Sequence, residues 1–221
     1  MKEKIALFDV CHTLVKITTI NDFIDYFLSL RPKYWLRKKI FYYFLRIFKK
    51  LRLLSSKNYK KYLVKLFRGY KEEDVLKIAK NYNFFRLQKE LKKEIFQKLI
   101  ELKKLGYKIF LISGGLDIYL KEFSNFLGVN LICTVLEKNE KNIFTGNILG
   151  LDCVGENKVL KLKEALSSFE EIDWKESLAF GDSLSDIHFL SLVKKATVVD
   201  PDLRLEEIAQ KKGWKIIKTK E

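Results

Sequence analysis

Proline and histidine are scarce in this chain, with two of each among 221 residues, and there are three cysteines, Cys11, Cys133 and Cys153. An odd number of cysteines, at spacings that match no zinc pattern and beside so few histidines, excludes a disulfide framework and a structural zinc site and predicts free thiols. The chain also lacks Ser/Gly/Pro-rich tracts and internal repeats. That excludes a flexible linker, a disordered tail and a solenoid. The apolar run near the start, Ile5 to Phe8, is short and ends at Asp9. It is too short and too polar for a secretory core or a membrane span, so a cytoplasmic protein is expected.

What is plentiful is positive charge, and it is concentrated. Of a formal net charge of +15, the stretch from Arg31 to Lys80 holds 17 Lys/Arg against Glu72, Glu73 and Asp74, or +14, and the rest is near neutral. Within it, Tyr34, Trp35, Phe41, Tyr42, Tyr43, Phe44 and Phe48 alternate with cations. Three readings stand. The aromatics form a small core of their own while lysines face water; the segment contacts an anionic membrane as a peripheral surface; or it steers an anionic substrate. No nucleic-acid motif accompanies the basic residues, so a nucleic-acid partner is not expected.

Hydrophobic residues make up 48% of the chain, enough for a buried core carrying an insertion. Apolar runs of strand length occur at Ile5 to Phe8, Ile109 to Ile112, Leu131 to Leu136, Leu178 to Phe180, Thr197 to Val199 and Ile216-Ile217. Runs apolar throughout and followed by helical patterns predict buried parallel strands. Phe144 to Ile148, after a polar turn, is expected as a hairpin strand beside the third run. Leu91, Ile95, Leu99 and Leu102 predict a helix from Leu91 to Leu105, closed by Gly106. Leu63, Leu66 and Phe67, like Leu36, Ile40, Phe41, Leu45 and Phe48, recur at helical spacing. The predicted fold is α/β, a Rossmann-like parallel sheet flanked by helices, with residues 1–17 and 91–221 as the core and 18–90 as an inserted helical segment.

Four positions carry chemistry. Asp9, in Phe8-Asp9-Val10-Cys11-His12-Thr13, ends a strand, where a carboxylate can accept a phosphoryl group if cations suppress charge repulsion. Thr13 can donate a hydrogen bond to that group. Ser113-Gly114-Gly115 precedes a helix and is expected to form an anion seat from a hydroxyl, backbone N–H groups and the helix N-terminus. Lys158, in Gly155-Glu156-Asn157-Lys158, opens a helix and offers an ammonium to both nucleophile and phosphate. Asp182 and Asp186, in Gly181-Asp182-Ser183-Leu184-Ser185-Asp186, are hard oxygen ligands that suit Mg²⁺.

In this order the four resemble the motifs of the haloacid dehalogenase superfamily, and the insertion resembles its helical cap. The subgroup is similar to phosphoserine phosphatase, as is the tail Asp200-Pro201-Asp202-Leu203-Arg204-Leu205 with Ala209 and Gly213-Trp214. The resemblance implies Asp9 as nucleophile and metal ligand, Thr13, Ser113 and Gly114 on the phosphoryl group and Lys158 neutralising it. It also implies Mg²⁺ held by Asp9, Asp182 and the carbonyl of Cys11, with Asp186 in support. The activity implied is hydrolysis of a small phosphate monoester, an amino-alcohol, phosphoserine-like or sugar phosphate. The alternatives are a phosphotransferase and an impaired protein that only binds phosphoesters or anionic surfaces.

One position departs from the family pattern. Where its phosphatases carry a second Asp as general acid and base, this chain has Cys11, followed by His12 where glycine is common. General acid–base help is worth about 10²- to 10⁴-fold, and an ordinary thiol, with a pKa of about 8.5, matches it poorly. Cys11 is either a small packing residue or a catalyst, and His12 is either a structural residue or the substitute acid/base.

Overall fold

The computed structural model describes residues 2–30 and 36–219. Tyr34 and Trp35 of the aromatic segment lie outside the described residues. Seven strands form one sheet: β1 (Ile5–Phe8), β2 (Lys108–Leu116), β3 (Asn130–Lys138), β4 (Phe144–Leu149), β5 (Leu178–Gly181), β6 (Lys195–Val199) and β7 (Lys215–Ile217). Their order is β4-β3-β2-β1-β5-β6-β7. All neighbours are parallel except β3 and β4, which pair antiparallel as the expected hairpin. The α/β parallel fold read from the sequence is the one observed.

Strand order decides where the chemistry falls. From β1 the chain moves outward through β2 and β3, then returns to the other side of β1 for β5, β6 and β7. Ligands bind outside the carboxyl ends of strands where the order reverses in this way. Phe8 is in register with Leu111 of β2 and with Phe180 of β5, and its ring stacks on Phe180 at 4.4 Å between centroids. Asp9, one residue beyond Phe8, and Ser113 and Asp182, two residues beyond its partners, therefore emerge at one edge.

Helices α5 (Lys93–Lys104), α6 (Asp117–Leu127), α7 (Glu156–Ala165), α8 (Ile187–Leu190) and α9 (Leu203–Lys212) flank the sheet. Two clusters form the core, as expected of a sheet covered on both faces: one holds Ala6, Phe8 and Leu111, the other Ile5, Leu7 and Phe110. Alternation along β1 and β2 sends successive side chains to opposite sides. Helix α5 starts two residues later than its apolar pattern predicts. Leu91 instead bridges to Val15, and Lys92 is buried with its ammonium on the His12 carbonyl and on Asp200.

Between β1 and α5 lie α1 (Thr19–Ser29), α2 (Leu36–Lys50), α3 (Ser56–Lys65) and α4 (Glu72–Phe85). Phe23, Phe27, Tyr42, Leu63, Phe67 and Tyr82 from this segment join the same cluster as Phe8. Phe23 of α1 touches Tyr119 of α6 at 4.8 Å between rings, so the segment has no core separate from that face of the sheet. The reading of α2 as a helix that buries its own aromatics is corrected: Tyr42 and Leu45 are buried, whereas Phe41, Tyr43 and Phe44 are exposed. The helical period was right, but the stripe of Leu36, Ile40 and Phe44 faces outward. Among the described residues no helix is long and apolar enough to cross a membrane.

Candidate active site

Asp9 leaves β1 with its N–H on the Phe180 carbonyl at 2.9 Å, which ties the nucleophile position to β5. Lys158 reaches it from the first turn of α7. Gly155, with φ +59° and ψ −130°, takes a backbone shape open to glycine, and the chain turns there into the helix. The Lys158 ammonium, 3% exposed, then lies 2.5 Å from Asp9 Oδ1 and 2.6 Å from Asp186 Oδ1.

Asp186 is held by its own loop. Its Oδ2 accepts the Ser183 hydroxyl at 3.0 Å and the N–H groups of Ser183 and Asp182 at 3.1 and 3.3 Å. Gly181 permits this close fold: a Cβ there would meet Asp186 Cβ at 2.8 Å. The carboxylates of Asp9, Asp182 and Asp186 each offer an oxygen, all within 4.8 Å of one another. Three carboxylates thus face one ammonium in a nearly dry place.

The electrostatics follow from that imbalance. Burial pushes the Asp9 carboxyl well above its ordinary range; Lys158 pulls it back, and Asp186 and Asp182 push it further. Asp182 is pushed up to about 6, first by burial and then by Asp186, against the Thr13 hydrogen bond and Lys158. Burial alone would lower the Lys158 ammonium, but Asp9 and Asp186 hold it above its usual value. Hard oxygen donors in excess of local positive charge are the donor set that suits Mg²⁺, so the residues present fit that ion.

A cavity of about 550 Å³ opens onto these groups, and Asp9, Cys11, His12, Ser113, Gly114, Lys158 and Asp182 all line it. Thr13 differs: fully buried, it donates its hydroxyl to Asp182 Oδ1 at 2.9 Å and is not part of the cavity wall. The anion seat expected around Ser113-Gly114-Gly115 is also narrower than the sequence reading. These residues lie at the end of β2, where the pairing with β3 shifts register between Ser113 and Leu116. The Gly115 N–H donates to Ser113 Oγ, the Leu116 N–H donates to Tyr119 Oη, and Asp117 occupies the first turn of α6. The Ser113 side and Gly114 remain on the wall.

Cys11 is enclosed. Its Sγ accepts the Thr19 N–H at 3.5 Å and lies 3.3 Å from the Thr19 hydroxyl, which is 3.0 Å from Tyr119 Oη. Burial pushes the thiol up to about 11, with Asp9 adding to the shift, so at neutral pH it stays protonated. His12 sits at the rim with φ +58°, a left-handed conformation that explains why glycine is common there. Its Nε2 is 2.9 Å from Thr18 Oγ1, and burial followed by Lys92 lowers its pKa, leaving a neutral ring at pH 7.

Two lysines escaped the sequence reading. Lys92, 5% exposed, fixes the His12 carbonyl at 2.5 Å and Asp200 at 2.6 Å, so the loop after Asp9 is pinned to the end of β6. Lys60 comes from α3 and donates to the Gly114 carbonyl at 2.5 Å, to Thr134 Oγ1 at 2.8 Å and to Asp152. It joins the inserted helices to the wall of the cavity. Neither carries a local signal, since each is one cation among 43 and its partners are far away in sequence.

Comparison with known proteins agrees with this geometry. Residues 6–191 match the family model described as haloacid dehalogenase-like hydrolase. A histidinol-phosphatase of Neisseria meningitidis serogroup C is 29% identical over 118 residues, covering 52% of this chain and 53% of that protein. A phosphoserine phosphatase of Mycobacterium tuberculosis is 29% identical over 111 residues, covering 50% and 36%. The matches thus span about half or less of these curated relatives. A solved structure of a protein of unknown function from Bordetella pertussis Tohama I superimposes with a TM-score of 0.88 at 21% identity, over 98% of this chain and 99% of that one. With the family match running from β1 through α8, across Asp9, Lys158, Asp182 and Asp186, the chain belongs to the haloacid dehalogenase-like hydrolases.

Proposed function

We propose that the protein is a Mg²⁺-dependent phosphatase that cleaves a small phosphate monoester through a phosphorylated Asp9. The observation that carries this reading is the Asp9–Lys158–Asp186 contact, with Asp182 alongside, at the floor of a cavity at the strand ends. Asp9 attacks phosphorus, the alcohol leaves, and water then cleaves the acyl phosphate. Lys158 neutralises charge on the phosphoryl oxygens while holding Asp9 in place, and Ser113 with Gly114 borders the bound group. Asp9, Asp182 and the Cys11 carbonyl would hold Mg²⁺, with Asp186 orienting Lys158 and the loop. The ion supplies charge neutralisation for the nucleophile and the transferring group.

Proton transfer falls to His12 rather than Cys11. A thiol at about 11 is a poor acid near neutrality, whereas a neutral imidazole on the cavity wall is a competent base for the attacking water. Thr13 acts from behind by positioning Asp182. Residues 18–90 serve as a cap on the core of 1–17 and 91–221, with Lys60 as their link to the cavity. Relatives named for phosphoserine and histidinol phosphate support a small phosphorylated alcohol as substrate. The assembled carboxylate and lysine set favours catalysis over mere phosphoester binding, and water over a second alcohol as acceptor is the simpler reading.

The test is phosphate release from a panel of phosphomonoesters, with Mg²⁺ and after chelation. Activity is expected with Mg²⁺ alone, and Asp9→Asn should lower it by at least about 10³-fold. Undiminished release by that variant would show that another group attacks phosphorus.

A further inference from the structure

The side of α2 turned away from the core is apolar, the reverse of what a water-facing helix requires. Leu36, Ile40, Phe44, Ile47 and Leu51 are spaced four, four, three and four apart, which sets them on one stripe. Leu51 continues the helix, with its N–H on the Ile47 carbonyl at 2.9 Å. Each of the five is between 54% and 61% exposed, while Tyr42 and Leu45 on the opposite side are buried. Exposed apolar patches of this continuity mark interaction sites. Cations border the stripe, with Arg37, Lys39, Lys50 and Arg52 all on or just beyond α2, and the helix contains no acidic residue.

We propose that this face of α2 docks the protein on an anionic lipid bilayer, lying in the headgroup layer with its apolar stripe inserted. Aliphatic and aromatic side chains on one side, cations along the borders and modest overall hydrophobicity are the properties of an interfacial helix. The lipid surface is favoured over other occupants by charge. A second copy of the chain would bring two strongly basic helices together, and like charges at close range oppose that pairing. A nucleic acid would match the cations but leave Ile40, Ile47 and Leu51 without a stacking role. Anionic headgroups over acyl chains satisfy both features at once.

The docking face also leads to the cavity above Asp9. A groove of about 810 Å³ is lined by Tyr43 and Ile47 of α2 together with Thr18, Ile20, Ser56 and Lys60. The last four also line the active-site cavity. Docking therefore sets the catalytic mouth at the level of the headgroups.

Co-sedimentation of the full chain with vesicles tests this independently of any catalytic assignment. The wild type should pellet with vesicles of phosphatidylcholine plus phosphatidylglycerol, not with phosphatidylcholine alone, and added salt should weaken the binding. The double variant Ile40→Glu, Phe44→Glu should bind at least about tenfold more weakly. Because both positions are exposed and away from the cavity, it should still hydrolyse a soluble aryl phosphate at the wild-type rate. Arg37→Ala with Lys39→Ala, which leaves the stripe intact, should also weaken binding. No pelleting with anionic vesicles, equal pelleting with neutral ones, or full binding by the double variant would overturn the proposal. So would a lipid-free dimer that the double variant dissociates, since the face would then belong to a second copy.

Discussion

Position 11 is where the proposed chemistry depends most on one residue, Cys11, that is not the nucleophile. In the proposed reaction a thiol held protonated beside Thr19 would leave departure of the alcohol largely unassisted, His12 serving as the base for water. Aryl phosphates, whose leaving groups need little protonation, should therefore turn over much faster than alkyl phosphates. Cys11→Asp should raise alkyl phosphate turnover about tenfold or more and aryl turnover much less; rates on a matched alkyl and aryl pair check this. A second residue acts through its pKa. Asp200 is opposed by burial, but hydrogen bonds from Lys92 and Thr219 outweigh it and hold the carboxyl below its ordinary range. A depressed folded-state pKa contributes stability that is present above the unfolded value, about 3.9, and lost as pH falls through the folded one. Because Asp200 is exposed and its pairing is screened by solvent, Asp200→Asn should cost only about 0.5–1 kcal/mol at pH 7, with the gap to wild type narrowing below about pH 4, measured by urea unfolding across pH. At this scale Asp9, Lys158, Asp182 and Asp186 were legible because each ends a strand or opens a helix in a fixed order. Lys60, Lys92 and Asp152 were not, because what makes them matter is a contact across 54 to 108 residues that no local pattern records, and Asp200 was legible only as part of the tail, without its tie to Lys92.

Strands and helices set the site by where they end. The β1 and β5 ends present Asp9 and Asp182 because parallel register aligns Phe8 with Phe180, and α7 carries Lys158 to Asp9 and Asp186. The loop after β5 works only if Gly181 stays bare. Gly181→Ala would press a methyl group against the Asp186 side chain. Overpacking of this kind costs about 1–3 kcal/mol, and here it would also displace the carboxylate that holds Lys158. A lowered melting temperature together with a raised Mg²⁺ requirement is expected, read by thermal unfolding and by activity against Mg²⁺ concentration. Strands were read well because buried parallel strands are apolar throughout, a pattern that does not depend on which side faces inward. Helix α2 is the opposite case. Its period was plain, but both of its sides are apolar, so the pattern alone did not distinguish Tyr42 and Leu45, which pack inward, from Ile40 and Phe44, which do not. The β2 end was harder to read for a related reason: Ser113-Gly114-Gly115 has turn composition, and the strand continues through it to Leu116 only with an irregularity, the β3 register shifting between Ser113 and Leu116.

For the molecule as a whole, the reversal of strand order about β1 gathers three carboxylates and one lysine from segments up to 177 residues apart. That gathering leaves an excess of negative charge on hard oxygen donors, which suits a divalent cation, and Lys60 of the inserted segment, which holds nearly all of the net charge, reaches the Gly114 carbonyl at the cavity wall. The central claim is that Asp9 becomes phosphorylated during turnover. It is tested most directly by quenching the enzyme in acid during steady hydrolysis with Mg²⁺, reducing with borohydride and mapping the peptides by mass spectrometry. Conversion of Asp9 to homoserine, absent without substrate, is the predicted result. Steady phosphate release with Asp9 unchanged, or with the phosphoryl group found on Cys11, would contradict it.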